Sequence, residues 1–451
     1  MNDLSQDSLQ APPQPVASSQ VKTEPQRDDR PSILFASPMN VLDITSGASL
    51  SMRTLLAAMA AKGFRAVALQ ATMFDSPQGG AHVLKAGEVH KDKKILRTHV
   101  LGVEHIILRT AATFRPLMTC GEQELFLRCF REELRRRRPD MVILWGALLL
   151  EMTVMREARE AGIPVIFYLV NSGYKEKEAF RYASVVVTDT QATADLYKER
   201  FGMDCKPTGK FIDVGLIKAP ARRPEFMTFI NPSFEKGVNV FMPLAKLAAR
   251  ECPEIKFLVV QSRGRWATAL KVLKLEASDF PNVKVIGHQR DMRPVYAATR
   301  ALLLPSLWFE SGARVIPEAL LNGVPILASD TGGSRELVGQ GGVMFTLPEE
   351  VREKRGIPAG EEVLRPWLEE VKRIWHDEAY YAELTRRAAK EGENHDIQHS
   401  TARFLNAVLP YVPRFRAAPS RPAPATDAKS AVKQALTKKQ ERLAQRNRKR
   451  H

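Results

Sequence analysis

The sequence predicts an α/β protein made of two doubly wound parallel-sheet domains that face a cleft, with a helical C-terminal end. Three observations carry that prediction. The chain has 451 residues, 44% of them apolar, which is enough for two domains of ordinary size plus tails. Short apolar runs alternate with stretches of helical period, and they do so twice. Between the two series the rhythm breaks at KAPARRPE from Lys218, whose prolines and charges suit a connection between domains.

The first series consists of ILFAS from Ile33, AVALQ from Ala66, MVILW from Met141, PVIFY from Pro164 and SVVVT from Ser184. The second is FMTFI from Phe226, KFLVV from Lys256, NVKVI from Asn282, ALLLP from Ala301, PILAS from Pro325 and GVMFT from Gly342. Unbroken apolar runs of this length are what strands buried on both faces look like. After residue 360 helical period takes over, in VLRPWLEEVKRIW, DEAYYAELTRRAAKEG and STARFLNAVLPYV. The expected limits are a disordered segment over 1–30, domains over 31–218 and 225–395, a terminal helix packing on the body over 396–413, and a basic, disordered tail over 414–451.

Composition excludes several classes. The longest apolar stretch, MVILWGALLL from Met141, is about half the length of a membrane-spanning helix, and the N-terminus is polar and unlike a signal peptide. Cys120, Cys129, Cys205 and Cys252 lie far apart, with neither metal-ligand pairs nor disulfide density, so reduced thiols in a cytoplasm are expected. The formal charge is +16, but residues 414–451 hold twelve Lys/Arg against two Asp/Glu and so account for most of it. Past Phe415 that tail has no aromatic side chain for base stacking and no zinc or helix-turn-helix signature. A tether, or peripheral contact with anionic lipid headgroups at the inner membrane surface, explains it better than nucleic acid does.

The run PSLWFESGARVIPEALLNGVPILASDTGGSREL, from Pro305 to Leu337, follows a buried strand and opens a helix. Gly312 and Ala313 leave the backbone open where that helix begins, and its free N–H groups favour an anion. Pro317 fits a first turn. Glu310 precedes the helix and Glu318 lies about one turn inside it. Carboxylates repel phosphate, so these two must meet something else, and sugar hydroxyls are natural partners. A ligand that combines diphosphate, ribose and hexose satisfies every part.

This run resembles the Glu-x7-Glu region of glycosyltransferase family four, retaining enzymes of two Rossmann-like domains (GT-B). Pro305 and Ser306, Glu318-Ala319, Gly323 with Pro325, and Gly332-Gly333 followed by Glu336 agree in order. Lys236-Gly237 matches the Lys-Gly that starts the first helix of the nucleotide domain. NVKVIGHQRDMRPVY resembles the nucleobase-holding strand and loop, around Gly287 to Met292. TSGASLSMRTLLAAMAAKGF resembles the glycine loop and first helix that face the diphosphate and the acceptor, with Ser46 and Gly47 there.

The resemblance implies that 31–218 is the acceptor-side domain and 225–395 the nucleotide-sugar domain. It implies roles in turn: Glu318 on the ribose, Glu310 on the transferred sugar, Lys236 on donor phosphate, and the amides of Gly312, Ala313 and Arg314 on the sugar and β-phosphate. The implied activity is retaining hexosyl transfer from a UDP- or GDP-sugar to a glycan, a lipid-linked acceptor or a small molecule. It needs no metal and no cofactor beyond the donor. The alternatives are a noncatalytic cleft scaffold that binds nucleic acid or membrane through its tail, and a sugar-nucleotide epimerase or phosphorylase on the same fold.

Three departures qualify the match. Relatives carry a Gly-Arg pair before the Lys-Gly, whereas this chain reads FINPSFEKG with Asn231 near that place. Arg263, Arg290 or Arg314 would have to replace the lost cation, and Arg263 is favoured because it follows the strand KFLVV. Relatives also place a histidine in the first-domain cleft; His99 and His105 are the candidates here. The glycine after Glu310 comes one position earlier than in the commonest motif.

Overall fold

In the computed structural model, residues 29–88 and 92–415 are described. The segment 1–28 and the tail from 416 onward, to which the disorder, tether and membrane expectations apply, lie outside the described residues. From Pro31 on the chain forms one unit that contains two sheets.

The first sheet has eight strands: β1 (Ser32–Ala36), β2 (Arg65–Ala71), β3 (Ile95–Val100), β4 (Val103–Leu108), β5 (Met141–Leu144), β6 (Val165–Leu169), β7 (Val185–Thr188) and β8 (Lys206–Pro207). Their order is β3-β4-β2-β1-β5-β6-β7-β8, parallel except for β3 against β4. The second has six, all parallel: β9 (Phe226–Ile230), β10 (Phe257–Val260), β11 (Val283–Ile286), β12 (Thr299–Leu304), β13 (Ile326–Ser329) and β14 (Gly342–Phe345), in the order β11-β10-β9-β12-β13-β14. All eleven apolar runs named above form strands. The β3/β4 hairpin and the two-residue β8 were not expected from the sequence, and β3 shows why: its Arg97, Thr98 and His99 are exposed on a sheet edge, so it carries no apolar run.

Helices cover both faces of each sheet, and five of them matter for the site: α1 (Gly47–Ala61), α2 (Gln191–Phe201), α3 (Val238–Glu251), α4 (Val315–Leu321) and α5 (Ile397–Val408). On α1, Met52, Leu55, Leu56 and Met59 recur at helical spacing and bury against Ile33 and Phe35 of β1. On α3, Phe241 stacks on Phe229 of β9 with ring centroids 4.4 Å apart. The three helices expected after residue 360 form at Glu361–His376, Glu378–Gly392 and Ile397–Val408. The last, α5, does more than lie on the body. Its Phe404 and Val408, with Val412, are fully buried in the core of the first sheet beside Phe35 and Phe211. The four cysteines are free thiols. Among the described residues no helix is long and apolar enough to cross a membrane.

Candidate active site

A cleft of about 540 Å³ opens at the carboxyl ends of both sets of strands. The position is the one parallel α/β sheets dictate, since side chains that leave strand ends converge there and meet no covering helix. The second sheet contributes Asn231 and Lys236 after β9, Gln261 to Arg263 after β10, His288 to Arg290 after β11, and Trp308 with the run Glu310 to Arg314 after β12. The first contributes Thr45 to Leu50 and Arg53 from α1 and its entry, Trp145 after β5, Val170 and Asn171 after β6, and Lys210 after β8. Ser46, Gly47, Lys236, Arg263, Arg290, Glu310, Gly312, Ala313, Arg314 and Glu318 all line this one cleft.

The two glutamates are buried and already engaged. Glu310 Oε1 receives Lys236 Nζ at 2.6 Å and the Ser306 hydroxyl at 2.5 Å. Glu318 Oε2 accepts from Tyr296 at 2.8 Å, while its Oε1 lies 2.6 Å from Arg314 Nε. Burial and the adjacent carboxylate together push the Tyr296 phenol well above its usual range, which keeps it a hydrogen-bond donor. Buried ion pairs of this kind seldom repay their desolvation, so they are weak as stabilising devices and better read as charges held ready in a site. Lys236 also lies 6.0 Å from the ring centroid of Trp308, which is exposed at the rim.

Backbone geometry explains the Lys-Gly pair. Gly237 has φ +81°, and a Cβ there would fall 1.8 Å from Pro305 O, so only glycine lets α3 start against the loop that carries Glu310. Gly312 has a different reason. A Cβ on it would stand 2.5 Å from the Cβ of Asp189, which belongs to the first domain. The open backbone at Gly312 therefore accommodates the other domain, and α4, seven residues long, starts only at Val315. Gly47, by contrast, has nothing within 4 Å of where its Cβ would be. Ser46 is the N-cap of α1, its side chain accepting from Ser49 N at 3.3 Å.

Asp189 is the centre of a buried group that sequence reasoning missed. Tyr168 OH donates to its Oδ1 at 2.5 Å and the Lys210 ammonium pairs with its Oδ2. Burial raises its carboxyl, with Lys210 and Tyr168 acting the other way. Next in sequence, the hydroxyls of Thr190 and Thr193 donate to Ser311 O at 2.9 and 3.3 Å. The Glu310–Arg314 loop of one domain is thus bonded to the start of α2 in the other. Nothing in the spacing of TDTQATADLY or KPTGKFID distinguishes these residues from an ordinary strand end and helix cap.

The remaining expectations divide. Asn231 spends its side-chain oxygen on Gly264 N at 2.7 Å, with φ +66°. Arg263 lines the cleft and reaches across to Asp75 at 3.8 Å. The Arg314 guanidinium is taken up by Glu318, by Phe211 O at 2.9 Å and by Ser51 Oγ at 3.3 Å. The two histidines are corrected. His99 points out from the edge strand, and His105 is buried between strands with Nδ1 3.1 Å from Gln70 Nε2. Burial, with the charge of Arg53 adding to it, lowers His105 to about 4. Among the described residues, the histidine that lines the cleft is His288 of the second domain.

Residues 226–354 match the family model described as Glycosyl transferases group 1. No curated protein sequence matches the chain. Among solved structures, sucrose-phosphate synthase from Thermosynechococcus elongatus is similar at 16% identity and TM-score 0.61, over 84% of this chain and 98% of that one. A glycosyltransferase from Rickettsia africae gives 12% and 0.60 over 84% and 98%. Anabaena HepE, solved in complex with UDP-glucose, gives 16% and 0.58 over 83% and 98%. Identities this low speak for the fold alone, and the fold is GT-B. Two findings stand together: a GT-B fold and, within its second domain, a segment that matches glycosyl transferases group 1.

Proposed function

We propose that the protein is a retaining hexosyltransferase that uses a UDP- or GDP-linked sugar, with its donor held against the second domain and its acceptor against the first. The observation that carries this reading is the pair Glu310 and Glu318, buried at the strand ends of one cleft beside Lys236 and the open amides of residues 312–314. Glu318 would take ribose hydroxyls on the lone pairs that Tyr296 and Arg314 leave free, and Glu310 hydroxyls of the hexose. Lys236, already within bonding distance of Glu310, would turn to the β-phosphate as its charge grows. Arg263 and Arg290 would serve the outer phosphate and the base. That HepE was solved with UDP-glucose supports a uridine donor.

In the step, the bond from C1 of the hexose to the β-phosphate oxygen breaks and a bond from C1 to the acceptor oxygen forms on the same face. The acceptor's proton passes to the departing phosphate oxygen. The chain supplies positioning and charge stabilisation, and no metal enters. The test is an assay of transfer and donor hydrolysis across UDP- and GDP-hexoses, with the product anomer read by NMR. We expect one base to dominate and the anomer to be retained. Full activity in both Glu310→Ala and Glu318→Ala would defeat the assignment.

A further inference from the structure

A phosphate-bearing reactant needs cations that the protein has not already neutralised. Most cations of the cleft are committed: Lys236 to Glu310, Arg314 to Glu318, Lys210 to Asp189, and Arg263 toward Asp75. Arg53 is different. It projects from α1 of the first domain, is partly buried, lines the cleft, and among the described residues its guanidinium has neither a carboxylate nor a hydrogen-bond partner. Its five N–H donors face the cleft with no protein acceptor among the described residues, so an anion there would meet no competing carboxylate. The surroundings disfavour its charge, because Arg314 opposes it with like charge and His82 and His105 both sense it. Asp43 faces His82 but is spent on Thr45 and on Asp75 N.

The placement has a direction. Ser46, Ser49, Leu50 and Arg53 follow one face of α1 along the cleft. Arg53 lies six residues past Gly47, about 9 Å along the helix, and helical side chains lean back toward the N-terminus. The guanidinium therefore leans along the cleft toward the start of α1, where Gly47 leaves open space. Across the cleft stands Asn231, uncharged and already bonded to Gly264.

We infer that Arg53 is an anion-binding residue of the cleft, which takes a phosphate-class oxyanion from one of the two reactants. The source is the donor diphosphate or an anionic group on the acceptor, and the chemistry is the same for both. The inference rests on the nucleotide-sugar reading of this cleft. It adds a specificity element contributed by the first domain, where the donor loop and its charges belong to the second.

The experiment is calorimetric titration of the full chain, wild type against Arg53→Met and Arg53→Lys, with UDP, GDP, pyrophosphate and inorganic phosphate. If the diphosphate is the source, Arg53→Met weakens UDP or GDP and pyrophosphate at least tenfold, and Arg53→Lys restores most of it. If the acceptor is the source, nucleotide binding is unchanged. Inorganic phosphate then binds saturably to nucleotide-loaded wild type and not to loaded Arg53→Met. In either case the thermal midpoint of Arg53→Met stays at or above that of wild type, because an unpaired cation is removed, whereas a merely structural arginine would lower it. Equal binding of all four ligands by wild type and Arg53→Met overturns the inference. If wild type takes neither nucleotide, the reading of the cleft fails, and the pyrophosphate and phosphate arms still decide Arg53.

Discussion

The carboxylate of Glu336, in the second domain, caps the helix that starts at Gln191 in the first: Oε1 lies 2.9 Å from Gln191 N and Oε2 3.1 Å from Ala192 N. The first N–H groups of a helix have no partner inside it, and an acid there also meets the positive end of the helix dipole. In most proteins such a cap comes from the helix's own chain neighbourhood. Here it comes from the other domain, next to the threonine hydroxyls that hold Ser311. Glu336→Ala should therefore weaken the docking of the two domains, by about 1 kcal/mol, more than it weakens either domain. We expect a larger radius of gyration in solution scattering and a several-fold higher KM for donor. An unchanged profile with unchanged KM would show that the contact holds nothing.

Two glycines in the cleft make opposite predictions. Gly312→Ala drives a Cβ into Asp189, so it should destabilise by about 1–3 kcal/mol and cut turnover sharply. Gly47→Ala meets no atom within 4 Å and should leave the denaturant midpoint where it is. If a diphosphate passes over Gly47, that same variant loses donor affinity. Urea unfolding and donor titration on the two proteins separate packing from ligand contact.

Lys236→Met removes the ammonium and leaves Glu310 buried with the Ser306 hydroxyl as its partner. The variant should lose kcat by about 100-fold or more, the scale for deleting one charge-stabilising donor. Nucleotide affinity should fall far less. A kcat within threefold of wild type would mean that Lys236 serves only to neutralise Glu310.

Glu133, buried behind the arginine run that ends the helix Cys120–Arg137, gives a pH prediction away from the site. Burial raises its carboxyl, but hydrogen bonds from Arg137, Arg97 and Arg136 outweigh that and hold it at about 2. A folded pKa below the unfolded one means stability that is present above the unfolded value and lost as pH falls through the folded one. With Arg97 and Arg136 half exposed and screened by solvent, roughly 2 kcal/mol is a fair scale. Glu133→Gln should be less stable than wild type by about that amount at pH 7. The gap should close between about pH 4.5 and pH 2, as followed by urea midpoints across the range.

The second domain was legible in its sequence because each of its strands is an apolar run closed by a turn or helix signal, and long-range contacts had only to agree. The loop from Glu310 to Arg314 was legible for the same reason. Glu310, Lys236 and Gly312 sit at strand ends, where topology alone brings them together. Arg53 and Lys210 were not. Arg53 reads as the solvent side of an amphipathic helix, and only the opposing domain makes that side a cleft wall. His105 misled because the resemblance asks for a first-domain histidine, and only its contact with Gln70, 35 residues earlier, shows that it sits in the core. The reason for Gly312 was likewise invisible, since it lies in Asp189.

The C-terminal helix has a consequence for how this chain can be handled. Phe404, Val408 and Val412 complete the core under β1, although they come after the whole second sheet. The peptide is thus threaded like a strap through a buckle. Stopping translation near residue 395 would spare every strand and still unroof the half made first. The first half cannot be cloned as a contiguous insert with its core intact, and on the ribosome it must wait for this helix to emerge before it can close.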